Sequence, residues 1–148
     1  MVGETFARGL RSVERRDGVA LVQLRTSGTN AALPALVEAA FPGRLSFTLA
    51  PGGDASVVIP EAELDAGLAQ LPKTIEHQVQ RNLTAISAAG VCMSAAENKA
   101  RRMCAALARA GIPLRALSLC DLAAAVTVDT ANADRAFEMI CAEVPLAL

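Results

Sequence analysis

The side chains that could do chemistry in this chain are few and scattered. Four cysteines, Cys92, Cys104, Cys120 and Cys141, all lie in the second half, and none forms a C-x-x-C pair. Structural zinc is ordinarily held by closely spaced ligand pairs, so this spacing predicts reduced, partly buried thiols and no metal site. The only histidine, His77, stands beside Glu76 on a predicted strand. No serine or cysteine sits near it at the spacing of a nucleophile and its base. No glycine-rich loop ending in lysine is present to cradle a phosphate. These residues predict a protein that is not an enzyme and carries no cofactor. The polar residues that do cluster are Thr26-Ser27-Gly28-Thr29-Asn30, a small loop whose Thr29 and Asn30 suit the cap of a following helix. Ser94-x-x-Glu97 has the pattern of a second helix start, a capping box.

The elements around these loops follow from hydrophobic period and turn chemistry. Residues 1–10 read as a flexible tail. Ser12 to Arg16 and Val19 to Leu24 read as two strands, with Asp17-Gly18 as a hairpin turn between them. Leu33, Leu36, Val37 and Ala40 recur at helical spacing, and Pro34 favours a helix that begins no earlier than its own first turn. Pro42-Gly43 stops that helix. Leu45, Phe47 and Leu49 alternate as a strand with one buried face, and Val57 to Ile59 forms its partner beyond the Pro51-Gly52-Gly53-Asp54 turn. A second helix covers Glu61 to Leu71. The same order then recurs. Thr74 to Gln80 and Leu83 to Ala88 read as strands around a turn near Arg81-Asn82. A helix follows from about Ala95 to Ala110, with Met103, Ala106 and Leu107 on one stripe and Gly111 as its stop. Strands at Leu114 to Leu119 and Ala123 to Val128 precede a last helix, Asn132 to Ala142.

The recurrence is a repeat in sequence as well as in order. VVIPEAELDAGLAQL from Val57 answers VTVDTANADRAFEMI from Val126, an offset of about seventy residues. Pro42 and Arg44 answer Pro113 and Arg115. Each unit has four strands and two helices, which predicts an α+β fold of two ferredoxin-like modules, antiparallel sheets with helices on one face. Module one spans residues 11–80 and module two residues 81–148. Each unit opens with two successive strands, whereas the module order is βαββαβ, so the modules are expected to be permuted and interleaved. The strand at 74–80 would complete module one, and the strand at 11–16 would complete module two.

Composition narrows the function. The 148 residues are 53% hydrophobic, with alanine the commonest, carry a net charge of −1, and contain no Trp or Tyr. That is the composition of a folded domain, not of a disordered chain. The absence of Trp and Tyr and of a broad basic stripe argues against nucleic acid, and Arg8, Arg11, Arg15 and Arg16 read as a solvated strand face and tail. No apolar run is long enough to span a membrane, and the N-terminus lacks the apolar core of a signal peptide, so the expected location is the cytoplasm.

The second unit resembles a known family. Gly90-Val91-x-Met93, Ala100-x-Arg102-Met103, Ala106-Leu107-Ala108-x-Ala110-Gly111-Ile112, Ser118, Val126-x-Val128-Asp129 and Ala133-Asp134-Arg135-Ala136 fit the second ACT module in the regulatory region of aspartate kinases. The first unit is similar more faintly, through Val19 to Leu24, Phe41-Pro42 and Val57-x-Ile59-Pro60-x-x-x-Leu64. The resemblance implies a tandem ACT pair that binds an amino acid effector and transmits its binding to a partner kinase. The kinase domain has no counterpart in the chain, so the resemblance implies a free-standing regulatory subunit, similar to the short beta chains of some aspartate kinases. A homodimer paired through sheet edges or helical faces is the expected assembly.

The resemblance also places the ligand site. Effectors in the family touch the loops before the helices, where unpaired N–H groups at a helix start hold a carboxylate. The matching residues are Thr26, Ser27, Gly28, Thr29 and Asn30 in the first unit, and Asn98, Cys120 and Asp121 in the second. The family usually has a charged residue and Pro-Gly in the first loop, and a Ser-Glu motif where Cys120-Asp121 stands. The scaffold is kept and the reading loops are rewritten. The alternative is therefore an ACT-fold interaction module that has lost its ligand.

Overall fold

A computed structural model of the chain describes residues 12–25, 31–49, 54–89, 96–120 and 123–143. Among the described residues, six strands and four helices follow in the order β1 (Ser12–Arg25), α1 (Leu33–Ala40), β2 (Ser46–Leu49), β3 (Ala55–Pro60), α2 (Leu64–Gln70), β4 (Glu76–Ala89), α3 (Ala96–Ala110), β5 (Ala116–Cys120), β6 (Ala123–Asp129) and α4 (Ala133–Glu143). Helices α2 and α4 are each entered through a 3-10 turn, Glu61–Glu63 and Thr130–Asn132. The predicted tail at 1–10 and the Ser94 capping position lie outside the described residues.

The chain divides into two units. One is Gly18–Leu83; in the other, residues up to Asp17 join those from Thr84 onward. In the first unit the strands lie in the order β2-β3-β1-β4, and in the second β1-β4-β6-β5. Strand pairs β1–β3, β2–β3 and β5–β6 are antiparallel. Thus β1 and β4 each give one half to each unit.

This corrects the two expected hairpins. Ser12–Arg25 is one continuous strand, and so is Glu76–Ala89. A two-residue type I′ turn needs positive φ at two successive residues. Here Gly18 (φ 68) and Asn82 (φ 58) adopt it singly. A single left-handed residue does not make that turn, and the strand runs on through it. The strand passes from one unit's core to the other's at these residues. Before Gly18, Val13 packs on the core of its unit; after it, Ala20, Val22 and Leu24 pack on the other core. In β4, Val79 packs before Asn82, and Ile86 and Ala88 after it. Glycine and asparagine are the residues that adopt this conformation at least cost.

Each unit has its own apolar core under its helices. In the first, Val22, Leu24, Val57 and Ile59 of the sheet meet Leu33, Val37 and Phe41 of the α1 region and Leu64 of α2. Helix α1 starts at Leu33 with Pro34 in its first turn, where a missing N–H costs nothing. Helix α2 crosses close to α1 because Gly67 lies against the Phe41 ring, leaving no room for a Cβ atom. In the second unit, Met103, Ala106 and Leu107 of α3 meet Ile86, Val126, Val128, Ala136 and Ile140. Gly111 (φ 70) ends α3. Its N–H donates to Ala108 O at 3.1 Å and the Ile112 N–H donates to Leu107 O at 3.0 Å. These two bonds satisfy carbonyls that a helix end otherwise leaves unpaired, and buried Ile112 seals the turn.

The first half of β1 is fastened to its unit by Arg15, which the sequence placed on a solvated face. Arg15 Nη1 donates to Asp134 Oδ1 at 2.7 Å and Nη2 to Asp17 Oδ1 at 2.8 Å. Its guanidinium lies 5.9 Å from the Phe137 ring centroid, within cation–π range. The buried Thr84 hydroxyl donates to Asp17 Oδ1 at 2.8 Å. In the same unit, Arg115 grips Asp129 with two parallel bonds of 3.1 and 3.0 Å. Hydrogen bonds from Arg15, then Thr84, hold the Asp17 carboxyl below its ordinary range, and those from Arg115 do the same for Asp129. A carboxyl depressed on folding stabilises the fold above its unfolded pKa of about 3.9 and loses that contribution as pH falls through the folded value. Thermal stability measured against pH should therefore fall below about pH 4, and the double variant Asp17→Asn, Asp129→Asn should show a shallower fall. An unchanged acid slope would remove these two carboxylates from the account.

Candidate functional site

The ends of three neighbouring strands in the Gly18–Leu83 unit enclose a cleft of about 540 Å³. Gln23, Leu24 and Arg25 come from the end of β1, Asp54, Ala55 and Ser56 from the start of β3, and Ile75, Glu76, His77 and Gln78 from the start of β4. The register accounts for the grouping. Leu24 pairs with Ala55 across the antiparallel β1–β3 ladder, so Arg25 and Asp54 meet one step beyond the last rung. Arg25 Nε lies 3.5 Å from Asp54 Oδ1, and the two side chains are 74% and 57% exposed. An ion pair this exposed is worth about 0–1 kcal/mol and opens readily.

Leu24, Ala55 and Ile75 are buried and supply apolar lining. Gln23, Arg25, Asp54, Ser56, Glu76, His77 and Gln78 complete the lining. A volume in the range of about 300–1,000 Å³ suits a small molecule.

The structure places the sequence-predicted residues unevenly. Thr26, Ser27, Gly28, Thr29, Asn30 and Asp121 lie outside the described residues. In sequence, Thr26 follows Arg25 directly. Asn98 falls in the first turn of α3, and Cys120 is the last residue of β5. The sequence reading left out Arg25 and Asp54, and took Glu76 and His77 as ordinary strand residues. The signal available was the pair of opposite charges bracketing two turn-rich segments, and only the strand register brings that pair together.

Other chemistry finds no support among the described residues. No group of three or more His, Cys, Asp or Glu is placed to hold a metal there. Cys104 and Cys141 are free, and burial pushes the Cys104 thiol up, away from the reactive thiolate. Every buried side-chain N or O atom has a hydrogen-bond partner there. No helix is long and apolar enough to cross a membrane.

No protein-family model matches the chain, and no curated protein matches its sequence. Solved structures do match its fold. The regulatory subunit of aspartate kinase from Thermus thermophilus, in its ligand-free form, is similar with a TM-score of 0.77 at 14% identity, over 92% of this chain and 99% of that one. A putative C-terminal regulatory domain of aspartate kinase from Porphyromonas gingivalis gives 0.70 at 17% identity, over 90% of this chain and 96% of that one. Aspartate kinase from Synechocystis gives 0.75 at 16% identity, over 92% of this chain and 27% of the longer enzyme. The resemblance read from the sequence therefore holds at the level of fold: this chain is built like the regulatory subunits and regulatory domains of aspartate kinases.

Proposed function

We propose that the protein is a non-catalytic regulatory subunit that binds an amino acid and passes that binding to an amino-acid-kinase partner. The observation that carries this reading is the match of nearly the whole chain to nearly the whole of a free-standing regulatory subunit. The strand orders support reading each unit as a ferredoxin-like ACT module. Gly18–Leu83 then runs βαββαβ within itself, with the first half of β4 as its last strand. The other module takes its last strand from the first half of β1. In this reading the modules are permuted and cannot be cut apart at one peptide bond.

Edge strands support a homodimer. β2 and β5 are the terminal strands of their units, and Leu49, Leu117 and Leu119 on them are 46%, 37% and 53% exposed. An edge with free backbone groups and exposed leucines invites pairing with another strand. Those leucines equally favour the second reading, an interaction module without an effector. Coexpression with an amino-acid-kinase catalytic chain from the same genome separates the two. A regulatory subunit makes kinase activity sensitive to an added amino acid. An interaction module co-purifies with its partner and leaves its activity indifferent to every amino acid.

A further inference from the structure

No further inference is drawn: the strongest candidate, the exposed leucine patch of Leu117 and Leu119 on the outer strand β5, is the edge already read above as a pairing surface, and nothing in the structure shows what covers it.

Discussion

Gly67→Ala should destabilise the protein by about 1–3 kcal/mol, the usual cost of forcing a methyl group into a filled core. The backbone at Gly67 is helical, so the cost is one of space. A Cβ there would press into the Phe41 ring and stand 2.9 Å from the Ala40 carbonyl oxygen. The repeat shows how the same contact is solved with other residues. By the alignment of the two units, Phe41 corresponds to Ile112 and Gly67 to Ala136, both buried in the second core. One unit uses a large residue and none opposite; the other uses a medium one and a methyl. Importing that solution, Phe41→Ile together with Gly67→Ala, should recover part of the loss. Recovery stops short of complete because the Ala40 carbonyl stays in place. Urea denaturation of the two single variants and the double variant gives the coupling, expected at about 1 kcal/mol in favour of the double. Strict additivity would show that Phe41 is not what Gly67 makes room for.

Removing residues 1–17 should cost about 3 kcal/mol or more, and the loss should fall on one unit. The first half of β1 brings Val13 to the core of the Thr84–Glu143 region and Arg15 to Asp134 and Phe137. It also brings Asp17 to the buried Thr84 hydroxyl, which would lose that charged acceptor and keep only the Thr130 hydroxyl at 3.1 Å. A loss of this size is a large fraction of the total stability of an ordinary domain, about 5–15 kcal/mol. Amide hydrogen exchange should report lost protection around Ile86, Leu107 and Ile140. Val22, Val37 and Ile59, in the core of Gly18–Leu83, should keep theirs. Equal loss in both cores would contradict the assignment of this strand to the second unit.

The elements were largely legible from local pattern. Leu33, Val37 and Ala40 on α1 and Met103, Ala106 and Leu107 on α3 are the buried stripes that helical spacing predicts. Gly111 stops α3 by the left-handed conformation expected of it. The hairpins were misread for a physical reason. Asp17-Gly18 and Arg81-Asn82 do signal a positive φ, and each site has one. Whether such a residue reverses a strand or lets it run on depends on which strands lie beside it, and that is a long-range property. The cleft was hidden for the same reason. Arg25 and Asp54 are ordinary charged residues until the Leu24–Ala55 rung sets them side by side.

The central claim is that this scaffold still senses an amino acid. A thermal-shift titration of the full chain against each proteinogenic amino acid tests it most directly. Ligand that binds only the folded state stabilises it by RT ln(1 + [L]/Kd), about 2.7 kcal/mol at a hundredfold excess over Kd. A saturable rise in Tm is expected with at least one amino acid. No shift with any of them, at concentrations that saturate ordinary metabolite sites, would contradict it.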